Sequence, residues 1–284
     1  MLGFSHRFCL CGLPGKIKTS ARRGGIWREL RLPTLIIIAG VLLIAGCTQS
    51  RGFRVIRQTV GFIRTNCYLL YDMNSGEAAL IDAGGRIDTL ESCIDENNLK
   101  LKYIFITHCH PDHVCGLPEL KVKYPDARVC FSKLDFEDTR LYSQWMTALK
   151  PEEIAEIKEN PEALELMNFD YGRNGPPDIY VEHNQIYKIG NLEIKAIFSP
   201  GHSSGSMCYY AGNALFSGDV LFYSTVGRTD LQGMSWEKIV ESVRRLYSLL
   251  PDNTVVYPGH DQFTDIGSEK KYNKKVAIDG ANRP

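Results

Sequence analysis

The residues best suited to chemistry lie in Thr107-His108-Cys109-His110-Pro111-Asp112-His113. Three imidazoles and one carboxylate fall within six positions there, as His108-x-His110-x-Asp112-His113. Neutral imidazoles suit borderline first-row metals, and a carboxylate adds charge and a hard oxygen. The pattern reads as a metal site rather than as a polar loop that happens to contain histidines. Three further loops repeat the arrangement. Pro200-Gly201-His202 follows Ala196-Ile197-Phe198, Ser217-Gly218-Asp219 follows Ala214-Leu215-Phe216, and Pro258-Gly259-His260 follows Val255-Val256-Tyr257. In each, a strand-like run ends, a glycine permits a tight turn, and a His or Asp comes next. These loops and the first cluster use five of the chain's seven histidines. One histidine after a strand is more often a surface or satisfied core residue; the repetition reverses that expectation.

The elements that must position these loops are legible as periodicity. Tyr103–Ile106 reads as a short buried strand, a rigid support for the first ligands. Further strands are predicted at Phe53–Val60, Cys67–Tyr71, Ala78–Asp82 and Val129–Phe131 in the first half. Leu192–Phe198, Ser206–Tyr210, Ala214–Phe216 and Thr254–Tyr257 follow in the second. Helical spacing covers Arg86–Asn98, Leu117–Tyr124 and Trp236–Leu250, the last capped by Ser235 with Glu237 in its first turn. Residues 133–180 are charged and helix-favouring, a helical excursion suited to a lid, broken by Gly175-Pro176-Pro177. Two runs of strands, each with interspersed or trailing helices, predict two sheets packed face to face with helices outside.

With 284 residues, 44% hydrophobic and 23% charged, the chain can bury a substantial core. Its zero net charge hides an asymmetry. Residues 1–46 hold seven Lys or Arg against Glu29 alone, leaving 26 basic and 32 acidic side chains of the chain's 33 of each. An acidic body argues against nucleic acid as a partner. The basic head leads into twelve apolar residues, Leu35 to Gly46, too few to span a membrane comfortably but matched to a signal-peptide core. Ile44-Ala45-Gly46-Cys47 resembles a bacterial lipobox, whose cysteine is lipidated and becomes the new N-terminus. The expected organisation is a leader over 1–46, a tether over 47–52, and one domain over 53–284. The expected location is the bacterial cell envelope, lipid-anchored at Cys47, or the cytoplasm if the leader is a mis-read start. The six cysteines beyond Cys47 show no disulfide framework, and Cys67 and Cys208 read as small core residues.

The set His108-x-His110-x-Asp112-His113, His202, Asp219 and His260 resembles the metallo-β-lactamase superfamily over residues 53–275. The resemblance implies a four-layer αββα sandwich, an α/β fold, with metals at one edge of the sheets. It implies that His108, His110 and His202 hold one metal, that Asp112, His113 and His260 hold the other, and that Asp219 bridges them. Gly218-Asp219-Val220-Leu221-Phe222 with Gly227-Arg228-Thr229-Asp230, and the ending Tyr257-Pro258-Gly259-His260, are similar to the glyoxalase II-like single-domain hydrolases.

Two divalent metals, zinc first with iron or manganese possible on this donor set, would share a water and present hydroxide to a carbonyl. Asp112 would be both ligand and proton carrier. A small acyl thioester such as S-lactoylglutathione is the implied substrate, since thiolate leaves readily and zinc accepts sulfur. Arg228 is placed to meet a substrate carboxylate, or to pair with Asp230. The chain departs from glyoxalase II in lacking its long C-terminal helical extension and in carrying Gln262 where a Tyr is usual. The alternative is a persulfide dioxygenase, which shares the fold and uses the counterparts of His108, His202 and Asp219 for one iron. A β-lactamase fits less well because that class usually lacks the bridging aspartate, and a binding module would be expected to have lost ligands.

Overall fold

The computed structural model describes residues 52–138, 158–231 and 233–277. The leader, Cys47 and most of the central part of the 133–180 excursion lie outside these residues. Six strands form the first sheet: β1 (Phe53–Val60), β2 (Thr65–Asp72), β3 (Glu77–Ile81), β4 (Lys100–Phe105), β5 (Arg128–Phe131) and β6 (Ile179–Tyr180), in that spatial order. The first three run antiparallel; β3 to β6 are parallel. The second sheet begins with β7 (Ile186–Ile189), β8 (Leu192–Phe198), β9 (Met207–Ala211) and β10 (Ala214–Gly218). A small hairpin of β11 (Leu221–Phe222) and β12 (Thr225–Val226) follows, and β13 (Val255–Pro258) and β14 (Thr264–Asp265) complete the sheet in the order β14-β13-β10-β9-β8-β7.

Alternation along the strands builds three cores. In β2, Cys67, Leu69 and Tyr71 pack outward under α1 (Asp88–Glu96), α2 (Pro111–Val114) and α3 (Leu117–Lys123), while Tyr68 and Leu70 face the other sheet. Between the sheets sit Phe105, Tyr209, Phe216 and Tyr187, with ring centroids of Phe105 and Tyr209 4.7 Å apart. Beyond the second sheet, Ile239, Val243, Leu246 and Tyr247 form the apolar stripe of α6 (Trp236–Leu249), packed on Ile197, Cys208, Leu215 and Val256. Ser235 caps that helix, its Oγ accepting from Lys238 N at 3.3 Å. Helix, sheet, sheet, helix is the predicted four-layer order.

The excursion is only partly as expected. Its described part holds α4 (Lys133–Asp138), α5 (Pro161–Met167) and a 3₁₀ turn at Tyr171–Asn174, but it ends in a strand, Ile179–Tyr180, rather than in helix. Pairing with Cys130 and Phe131 sets that extended state just past Gly175-Pro176-Pro177, where the helical run has already broken.

Directionality places the site. β3 and β4 share one direction, as do β8, β10 and β13, so their C-terminal ends reach one edge of the sandwich. Backbone bonds join the sheets there: Asn66 N donates to Gly259 O at 2.7 Å and Met207 N to Thr107 O at 2.8 Å.

Candidate metal centre

All seven predicted ligands converge at this edge. His108 Nε2 and His110 Nδ1 are 2.7 Å apart, and His202 Nε2 lies 2.8 Å from the same His110 nitrogen. Asp219 Oδ2 stands 3.4 Å from His202 Nε2 and 4.0 Å from His108 Nε2. Beside this set, Asp112 Oδ2 is 3.3 Å from His113 Nε2 and 3.4 Å from His260 Nε2. Asp219 reaches this second set too, with Oδ1 3.5 Å from His113 Nε2 and Oδ2 3.3 Å from His260 Nε2. One carboxylate therefore touches both groups of nitrogens. All seven residues are buried except His260, which is half-buried and forms the solvent side.

The donor chemistry fits a metal. His113 gives its Nδ1 to Asp82 Oδ2 at 2.8 Å, and His202 its Nδ1 to the carbonyl of Arg228 at 3.1 Å. His108 Nδ1 meets Thr107 Oγ1 at 3.0 Å. Each of these bonds fixes the tautomer that leaves a bare Nε2 aimed at the centre. His113 Nε2 and Asp219 Oδ1 are buried without a hydrogen-bond partner, a costly arrangement that a cation would relieve. The cluster is a divalent-metal site by these criteria.

Electrostatics agrees. Burial opposes ionisation of Asp112 and Asp219, yet the surrounding histidines hold both carboxyls well below the usual range. Burial lowers His113 and His260, but the carboxylates win, raising His113 to about 9 and His260 to about 11 in the metal-free centre. Burial and neighbouring imidazoles push His108 and His110 well down. Positive charge collects at His113 and His260 because the carboxylates there demand it.

Three buttressing residues were not among the predicted site residues. Asp82, at the end of β3 with φ 62°, accepts from Thr107 N at 2.7 Å, from Thr107 Oγ1 at 2.8 Å and from His113. Thr65 Oγ1 donates to Asp112 Oδ2 at 2.6 Å. Asp135, fully buried, accepts from Cys109 N at 3.0 Å and from Ser203 Oγ at 2.7 Å, joining the His108–His110 loop to the His202 loop. The position of Asp82, one residue past a strand and just before Ala83-Gly84-Gly85, is the signal that could have marked it. The guanidinium of Arg228 is forked onto Asp230 at 2.8 and 2.9 Å on the exposed side, while its carbonyl serves His202. Its contribution to the centre here is through the backbone.

The family model for the metallo-β-lactamase superfamily matches residues 60–260, and the chain belongs to that superfamily. The probable metallo-hydrolase YqgX of Bacillus subtilis is 31% identical over 219 residues, 76% of this chain and 94% of YqgX. The hydroxyacylglutathione hydrolase GloC of Haemophilus influenzae is 29% identical over 211 residues, 73% of this chain and 91% of GloC. Among solved structures, the BLEG-1 B3 metallo-β-lactamase superposes with a TM-score of 0.61 at 27% identity, covering 78% of this chain and 99% of that one. TTHA1623 in a di-iron-bound form gives 0.59 at 28%, covering 77% and 98%. ETHE1 from Myxococcus xanthus gives 0.58 at 27%, covering 78% and 84%. Fold and centre together define a metallo-hydrolase of this superfamily.

Proposed function

We propose that the chain hydrolyses acyl or hydroxyacyl thioesters, S-lactoylglutathione being the type substrate, with two divalent metals in its centre. His108, His110 and His202 would hold one, Asp112, His113 and His260 the other, with Asp219 placed to serve both sets. The observation that carries this is Asp219, whose two oxygens lie within 3.3–3.5 Å of His113, His202 and His260 at once. Bound together, two such ions lower the pKa of a shared water towards neutrality and polarise a carbonyl. The protein's part is positional. Thr65 pins one oxygen of Asp112, which fixes the carboxylate plane and leaves the other oxygen to orient the attacking water and pass a proton to the departing thiolate. Half-buried His260 leaves the approach open on its side, where Phe222 stands with its ring 6.2 Å from the imidazole. The likeness to GloC supports the thioester class, and zinc is the metal we favour for a leaving thiolate.

The test pairs metal content with thiol release. Close to two zinc per chain with free thiol from S-lactoylglutathione is the expected result. One iron per chain, no thiol release, and oxygen uptake with glutathione persulfide would move the assignment to a dioxygenase using His108, His202 and Asp219. We also propose anchoring to the cell envelope by a lipid on Cys47, supported by the apolar run at 35–46 and the small residues before the cysteine. Fractionation and mass spectrometry showing an unlipidated cytosolic product would refute it.

A further inference from the structure

A cavity of ≈ 550 Å³ lies beneath the β1–β2 turn, with Thr65 and Asp112 among its walls. We propose that it is the acyl subsite, and that it takes an uncharged, largely apolar acyl chain longer than lactoyl. The inference rests on the thioesterase reading and narrows its substrate class.

Position comes first. The Asp112 oxygen that Thr65 holds is the one 3.3–3.4 Å from His113 and His260, so one side chain separates the cavity from the reacting centre. An acyl tail that passes Asp112 on the Thr65 side would enter this space. Glycines bring backbone close to backbone in its wall. A Cβ on Gly84 would stand 2.0 Å from the Asp112 carbonyl oxygen, and one on Gly116 would stand 2.4 Å from the Gly85 carbonyl oxygen. Backbone therefore packs directly on backbone along this wall, which fixes its position relative to Asp112.

Chemistry comes second. Val60, Ile87, Leu120 and Leu166 line the cavity and are buried, and Phe62 in the overlying turn is 39% exposed. The charged lining residues are already engaged or repel an anion. Arg86 pairs with Asp88 at 3.3 Å, Glu91 with Lys123 at 3.0 Å, and exposed Glu119 adds a further negative charge at the rim. The N-terminus of α1 is not an anion cradle either, because Gln58 Oε1 accepts from Thr89 N at 2.9 Å and Leu90 N at 3.1 Å. A carboxylate tail would meet Glu91 and Glu119 and, among basic lining residues, only the exposed Arg86, whereas an alkyl tail would find four buried aliphatic side chains. A lactoyl group, with five non-hydrogen atoms, would fill on the order of a quarter of the volume at roughly 30 Å³ per small group.

The test uses metal-loaded full-length protein and thioesters on one neutral thiol, N-acetylcysteamine, with acetyl, lactoyl, butanoyl, hexanoyl and succinyl groups. Each buried methylene is worth roughly fourfold in affinity, so kcat/KM should rise at least tenfold from acetyl to hexanoyl, mainly through KM, and succinyl should fall below butanoyl. Leu120→Trp, or Ile63→Trp should the first fail to fold, should lower the hexanoyl-to-acetyl ratio at least tenfold. A flat series, or a ratio that neither variant changes, overturns the proposal. If no thioester is cleaved, the thioesterase reading fails, and the cavity is judged by binding alone. Hexanamide should then shift the methyl resonances of Ile63 and Leu120 in the wild type and not in the Trp variant. No shift overturns the subsite as well.

Discussion

Asp82 Oδ2 lies 2.8 Å from His113 Nδ1, and the same carboxylate accepts both the amide and the hydroxyl of Thr107. It thus fixes the His113 ring directly and, through Thr107 Oγ1 against His108 Nδ1, touches the other group of ligands. Outer partners of this kind typically contribute 10–100-fold to metal affinity. Asp82→Ala is expected to weaken metal binding by about that factor, most at the Asp112–His113–His260 set. Competition with a chromophoric chelator reads both affinities, and unchanged affinities would remove Asp82 from the metal machinery.

Gly227 is held against the centre by contact rather than by an unusual φ. A Cβ there would stand 1.9 Å from the Asp219 carbonyl oxygen and 2.9 Å from His202 Nδ1. The first neighbour is backbone and cannot swing away, so Gly227→Ala must displace the segment that carries Asp219. Overpacking of this sort costs about 1–3 kcal/mol. We expect a lower urea midpoint together with loss of bound metal; a variant with normal stability and full metal content would contradict this contact.

The seven ligand positions were legible because each is a local event, a strand end followed by a dense run of donors at His108–His113, and a strand end, a glycine and a donor at His202, Asp219 and His260. The layer order was legible because Cys67, Leu69 and Tyr71 alternate with Tyr68 and Leu70 along one strand. Asp135 was not, since Lys133–Asp138 reads as the charged start of a helix and its partner Ser203 comes 68 positions later. Nor were the two-residue strands at Ile179–Tyr180, Leu221–Phe222, Thr225–Val226 and Thr264–Asp265, which are too short to show a period and exist through pairing alone. Arg228 was read for its guanidinium, but the structure shows its carbonyl serving the centre, a role side-chain chemistry does not disclose.

Metal-free protein should depend on pH differently from metal-loaded protein. His113 and His260 have folded-state pKa values raised to about 9 and about 11, burial being outweighed by their carboxylate neighbours. A raised pKa stabilises fully below the ordinary value of about 6.5, and the contribution is lost as pH climbs through the folded value. Asp112 and Asp219 are held low, so their contribution is present above about pH 4 and lost on acidification. The chelator-treated protein should therefore melt at falling temperature from pH 7 to pH 10. With metal in place of the protons, both imidazoles are neutral ligands and that alkaline decline should largely vanish. Calorimetry of both forms at pH 6, 8 and 10 decides it; parallel profiles would mean the two histidines are not proton-loaded in the free centre.

Asp135 should support only one of the two ligand groups. Burial raises its carboxyl pKa to about 6 despite the donors around it, so the fold keeps an acid where an apolar residue would be easier to bury. What it gains is a clamp: Cys109 N, Ser203 Oγ and Gly205 N all converge on it, from the loops that carry His108, His110 and His202. In Asp135→Asn the amide nitrogen must face at least one of these donors, leaving it buried and unsatisfied at a cost of about 1–3 kcal/mol. The His108–His110–His202 set should then bind metal at least tenfold more weakly, while the Asp112–His113–His260 set, whose Asp112 and His113 are held separately by Thr65 and Asp82, keeps its affinity. Cobalt titration followed by absorption spectroscopy separates the two events. Equal weakening of both would show that Asp135 serves the fold at large rather than this pair of loops.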